Sequence, residues 1–124
     1  MPPPTPLPSH VYKILPAAPP DPLPSVLPLS ALDANDGYIH LSTAAQVVGT
    51  ASRFFADANV LWLLKIPLQK LGQGGGQVKW EESGSGCFPH LYGADVGSEV
   101  VDKVVVVRRG EGEDWEGCFE GKLD

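Results

Sequence analysis

Eleven of the chain's 13 prolines fall within residues 1–28, and this crowding limits the front of the molecule more than any other feature of the sequence. Proline fixes φ and carries no N–H, so a segment with proline at 16, 19, 20, 22, 24 and 28 forms neither a regular helix nor a central strand. Residues 16–28 therefore read as an extended connection along the surface. Residues 1–9 read as a Pro-rich leader of polyproline-like or disordered character. The proline-free window between them, His10–Leu15, alternates as a short strand, with Val11, Lys13 and Leu15 on one face and Tyr12 and Ile14 on the other.

Charge sets the other end apart. The formal net charge is −6, and residues 110–124 hold Glu111, Glu113, Asp114, Glu116, Glu120 and Asp124 against Lys122 alone. The 124 residues divide into the leader 1–9, a single domain over 10–109 and an acidic C-terminal tail over 110–124. Trp115 and Phe119, four apart, can pin that tail to the body. What remains of the chain is nearly neutral, and Arg108-Arg109 is its one basic pair, which argues against a surface that tracks the phosphates of DNA or RNA. No apolar run approaches the roughly 20 residues that cross a bilayer, and Met1-Pro2-Pro3-Pro4 lacks the opening of a signal peptide. The expectation is a soluble cytoplasmic protein with no membrane partner and with Cys87 and Cys118 reduced. Cys87-x-x-His90 is half of a zinc knuckle without its second half, so no structural zinc is expected.

Along the domain, Asp33-Ala34-Asn35-Asp36-Gly37 is a turn signal, followed at once by an alternating strand, Tyr38–Ser42. Thr43-x-x-Gln46 has capping-box spacing, and Val47, Val48, Ala51, Phe54, Phe55 and Ala58 recur at helical intervals. Val60–Ile66 reads as a central strand covered on both faces. Gly72–Gly76 lacks the Lys-Ser/Thr ending of a phosphate loop and reads as a hairpin connection to a strand at Val78–Glu82. Further strands are expected at Cys87–Tyr92 and Val100–Val107. Many strands and one main helix predict an α+β fold, with too few helices between strands for a doubly wound sheet.

Strand alternation also sorts the polar side chains. On 38–42 it puts Ile39 and Leu41 on the core face and Tyr38, His40 and Ser42 opposite, beside a helix N-terminus. On 88–92 it groups Phe88, His90 and Tyr92, and on 79–82 it groups Lys79 with Glu81. His40, Glu81 and His90 are thus the His and carboxylate side chains that three strands can bring together as acid, base or charge-stabilising groups. No Gly-x-Ser-x-Gly elbow exists and neither cysteine has an activating context, which argues against serine or cysteine hydrolase chemistry.

Gly37-Tyr38-Ile39-His40-Leu41-Ser42-Thr43 with Gln46, then Trp80-Glu81, then Phe88-Pro89-His90-Leu91-Tyr92-Gly93, resembles the motifs of the DUF952 family of domains of unknown function. Val11-Tyr12-Lys13-Ile14 fits its first strand. The resemblance implies a compact fold similar to the ADP-ribosyltransferases, with a split, bent, mostly antiparallel sheet, one main helix and a cleft for a nicotinamide dinucleotide. It implies NAD as cofactor, with Tyr38, His40, Leu41, Ser42, Thr43 and Tyr92 around it. His40 would bond the ribose, the Leu41 backbone would clamp the carboxamide, and Glu81 would support attack on the ribosyl carbon. His40, Glu81 and His90 are the catalytic candidates. Two other readings stay open: a metal-dependent enzyme using the two histidines and the glutamate, and a module that binds a small, nucleotide-like ligand without turnover.

Overall fold

A computed structural model describes residues 3–73, 75–83, 86–119 and 121–123. Gly74 of the glycine run and Glu120 and Asp124 of the acidic end lie outside the described residues. The elements follow in the order β1 (His10–Leu15), α1 (Ala31–Asp36), β2 (Ile39–His40), α2 (Ala44–Phe54), β3 (Val60–Pro67), α3 (Leu68–Leu71), β4 (Gln77–Ser83), β5 (Gly86–Tyr92) and β6 (Lys103–Arg108). The class is α+β, with two antiparallel three-stranded sheets ordered β1-β3-β6 and β2-β5-β4. None of the described helices is long and apolar enough to cross a membrane.

The apolar run of β3 is central, as its composition predicts, and its alternation feeds two cores. Leu61 and Leu63 pack with Tyr12 and Ile14 of β1, Val47 and Ala51 of α2, and Trp115 and Phe119 of the acidic end. Leu64 and Ile66 pack with Val11, Ile39, Leu41 and Leu91 on the other side, against the second sheet. Trp115 and Phe119 do pin the C-terminal segment: their rings stack at 5.5 Å, and Trp115 Nε1 donates to the Phe55 carbonyl at 3.0 Å. The proline-rich connection lies extended, tied to the body by Leu27 N–H to Val96 O and Ser98 N–H to Pro24 O, both 2.9 Å.

Three local expectations change. Asp33–Gly37 is not an isolated turn but the end of α1, capped in front by Ser30, which accepts from the Asp33 N–H, and behind by Gly37 at φ 80°. The glycine run is not a hairpin connection, because β3 and β4 belong to different sheets; it carries the chain from one to the other after α3. A Cβ on Gly76 would come within 2.5 Å of the Ala94 Cβ, so the crossing needs glycine there. Strand Tyr38–Ser42 shrinks to Ile39–His40. Leu41 N–H still reaches Pro89 O of the second sheet at 3.1 Å, whereas Ser42 exchanges both backbone bonds with Tyr12 of the first, at 2.7 and 2.9 Å.

Candidate functional site

The register of the second sheet gathers the polar side chains. His40 lies directly opposite His90, Lys79 opposite His90, and Glu81 opposite Phe88, two residues from His90 along β5. Alternation turns Ile39, Val78, Trp80 and Leu91 toward the core and leaves His40, Lys79, Glu81, His90 and Tyr92 on the outer face. Tyr38 lies over this face, its ring centroid 4.6 Å from His40, 4.3 Å from His90 and 5.0 Å from Tyr92. The two imidazoles are 5.2 Å apart, edge to face.

Each histidine is held by a carboxylate. His90 Nδ1 donates to Glu81 Oε1 at 2.8 Å, and the Tyr92 hydroxyl donates to the same oxygen at 2.6 Å. Those two bonds hold the Glu81 carboxyl below its ordinary value, with help from Lys79. The Tyr92 phenol moves the other way, pushed up to about 12 chiefly because its proton is held on Glu81. Glu81 is therefore ionised at neutral pH with Oε1 filled, and His90, buried under Tyr38, keeps Nε2 for the space beyond.

His40 is held by α1. Its Nδ1 lies 2.7 Å from Asp33 Oδ1, its backbone N–H donates to the same oxygen at 3.2 Å, and its Nε2 lies 3.0 Å from Asp36 Oδ2. Lys13 Nζ completes the group at 2.6 Å from Asp33 Oδ2 and 3.3 Å from the His40 carbonyl. Burial alone would raise the Asp33 carboxyl, but the bond and charge of Lys13 and the two bonds from His40 reverse that and leave it below its ordinary value. Loss of hydration, then the charges of Asp36, Glu81 and Asp33, raises the Tyr38 phenol. The field over this face is therefore negative around Tyr38.

A cleft of about 550 Å³ opens beside this face, between β1, α1, β2 and the end of α2. Tyr38, His40, His90, Asp33, Asp36 and Lys13 line it, as do Ser42, Thr50, Arg53 and the exposed ring of Phe54. A volume of this size suits a small organic ligand.

Of the residues singled out from sequence, the structure brings His40, His90, Glu81, Tyr38 and Tyr92 onto one face. Glu81 and Tyr92 sit past His90, outside the cleft lining. The next three residues are committed elsewhere. Leu41 lines the cleft, but its N–H is spent on Pro89 O and cannot serve as a clamp. Ser42 has both backbone groups on Tyr12, and its Oγ lies 3.3 Å from Thr50 Oγ1. Thr43 is outside the lining and starts α2, its N–H donating to Gln46 Oε1 at 3.0 Å. The set of two histidines and Glu81 does not converge as metal ligands, since His40 and His90 turn ring nitrogens to carboxylates; among the described residues no group of three or more His, Cys, Asp or Glu is arranged to hold a metal ion. Asp33, Asp36 and Lys13 were not singled out from sequence. Ser30-x-x-Asp33, an N-cap spacing, and a lysine facing the same way as Val11 and Leu15 were the signals that could have found them.

An α+β chain with two antiparallel sheets and paired His–carboxylate groups on the outer face of the second defines the class. Residues 24–105 match the family described as protein of unknown function DUF952, and the chain belongs to that family. It is similar to the crystal structure of protein CC0527 from Caulobacter crescentus, at 33% identity and a TM-score of 0.69 over 82% of this chain and 89% of that one. A double mutant of the same Caulobacter protein gives 32% identity with the same score and coverage. No curated protein matches the chain.

Proposed function

We propose that the outer face of β2-β5-β4 and its cleft bind a ribonucleotide-type ligand, NAD first among them, and transfer its ribosyl group in a fold of the ADP-ribosyltransferase kind. The observation that carries this reading is the Glu81–His90–Tyr92 group beside the His40–Asp33 pair, with a tyrosine ring laid across both. In such a reaction the bond from the ribosyl carbon to nicotinamide breaks, its electrons leave with the ring, and positive charge develops on the carbon. The ionised Glu81 offsets that charge through Oε2, while Oε1 stays on His90 and Tyr92. An acceptor hydroxyl then bonds to the carbon and gives its proton to His90 Nε2, with Nδ1 kept on Glu81 as orienter. His40, fixed by Asp33, positions a ribose hydroxyl. The setting for this chemistry is the cytoplasm.

A second reading, binding without turnover, draws on the Leu41 N–H being spent within the sheet and on both His40 ring nitrogens facing carboxylates. Titration of the pure protein with NAD, NADP and ADP-ribose, followed by ligand-observed NMR, is the first test. No saturable binding at millimolar ligand removes the nucleotide assignment. Where binding is found, nicotinamide release by wild type but not by a folded His90→Ala variant supports transfer, and binding with no release supports the module.

A further inference from the structure

Of the two α1 carboxylates that hold His40, Asp36 is the one open to a ligand in the cleft. Asp33 is nearly inaccessible and accepts three hydrogen bonds, which makes it a brace. Asp36, by contrast, is 29% exposed, lines the cleft, and ends α1 just before the left-handed Gly37. One of its oxygens faces His40 Nε2 at 3.0 Å and the other accepts from the neighbouring Asn35 amide at 3.2 Å. The exposed end of His40 is thus covered by a partly exposed carboxylate at the cleft surface.

What replaces that contact follows from the charges. Asp33, Asp36 and Glu81 all act on the Tyr38 hydroxyl, Lys13 is already committed to Asp33, Lys79 lies over the Tyr92 ring at 4.6 Å outside the cleft lining, and Arg53 lines the cleft from α2 next to Phe54. An anion brought to His40 Nε2 would meet the Asp36 carboxylate already there, in a field that Asp33 and Glu81 also make negative. A neutral pair of adjacent hydroxyls fits: one oxygen takes the ring nitrogen, and the other donates its proton to the carboxylate, an acceptor with no donor of its own. Carboxylates read ribose hydroxyls in this way in other dinucleotide sites.

We propose that Asp36 and His40 Nε2 together form a reader of a vicinal diol, so that the site selects ribose over deoxyribose. The proposal deepens the ribonucleotide reading above and rests on it only for the identity of the whole ligand. Its probes are methyl β-D-ribofuranoside and the 2-deoxy analogue, titrated into the full chain while the His40 ring resonances are followed by NMR. Wild type should show saturable shifts with the ribofuranoside, and binding weakened by about five- to tenfold for the deoxy sugar and for Asp36→Asn and Asp36→Ala, the loss of one hydrogen bond in a half-exposed site. Equal response to both sugars, no response to either, or unchanged binding in the folded Asp36 variants would overturn it. NAD titrated in parallel separates the two ideas. Ribofuranoside binding without NAD binding keeps the diol site and removes the nucleotide, whereas NAD binding indifferent to Asp36 does the reverse.

Discussion

Replacing Asp33 by asparagine keeps the shape of the side chain and removes the charge on which Lys13 and His40 converge. The wild-type carboxylate is 2% exposed and accepts from Lys13 Nζ at 2.6 Å, His40 Nδ1 at 2.7 Å and His40 N at 3.2 Å. Breaking a fully buried ion pair costs about 3–5 kcal/mol, because the partner is left uncompensated. Lys13 and His40 are 13% and 28% exposed, so part of that loss is recovered by hydration, and Asp33→Asn should cost about 2–3 kcal/mol. At this chain length that lowers Tm by about 10 °C. Urea and thermal unfolding at neutral pH of wild type, Asp33→Asn, Lys13→Met and the double variant measure it, with a coupling of about 1 kcal/mol or more between the two sites. The sign of the pH dependence adds a second check. The folded carboxyl sits below its ordinary 3.8, so on acidification the unfolded chain takes up the proton first. The stabilisation is complete above that ordinary value and is lost as pH falls through the lower folded one. Asp33→Asn should flatten the stability curve in that acidic window. A loss under about 0.5 kcal/mol, or two single effects that simply add, would refute the reasoning.

Tyr92→Phe removes one of the two donors on Glu81 Oε1, so the Glu81 carboxyl should titrate at higher pH than in wild type, as read from its carboxyl-carbon NMR signal; in Glu81→Gln the Tyr92 phenol should return from about 12 toward 10.0 in an ultraviolet titration. Trp115→Ala empties a site that is 1% exposed and unpartners the Phe55 carbonyl, and should cost about 3–5 kcal/mol in urea unfolding. A midpoint equal to wild type would show that the acidic end adds nothing to the core.

The period of two along a strand is a backbone property, which is why His40, His90 and Glu81 could be grouped as side chains that three strands can bring to one place before their register was known. The same arithmetic sorted β1 correctly into Val11 and Leu15 against Tyr12 and Ile14. It does not say where a strand stops, and so it carried Tyr38–Ser42 past the point at which the chain leaves its sheet. Asp33 stayed hidden for a different reason. Asp-Ala-Asn-Asp-Gly reads alike whether it bends the chain or ends a one-and-a-half-turn helix, and only Ser30 in front of it decides. Phe54 misled in the opposite sense: it keeps helical spacing with Val47 and Ala51, yet it is 66% exposed at the cleft mouth.

The shortness of β2 explains why the chemistry lies where it does. A strand running from Tyr38 to Ser42 along β5 would have kept Ser42 in the second sheet and spent the backbone of β5 on a longer ladder. Instead the chain changes partners between Leu41 and Ser42, from Pro89 of one sheet to Tyr12 of the other. That crossing ties the sheets together, and Leu41 and Ser42 on either side of it both line the cleft. His40 ends β2, one residue before the chain's last bond to that sheet, and it lines the cleft with His90 directly opposite. The His40 N–H goes to Asp33 Oδ1 and its carbonyl accepts from Lys13 Nζ, so side chains of α1 and β1, not the β5 ladder, hold its main chain, and its ring needs a hold of its own. The two carboxylates of α1, three residues apart on one turn, supply that hold from the remaining open side. Asp33 does so from a buried position that resists change, and Asp36 from a half-exposed one that permits it.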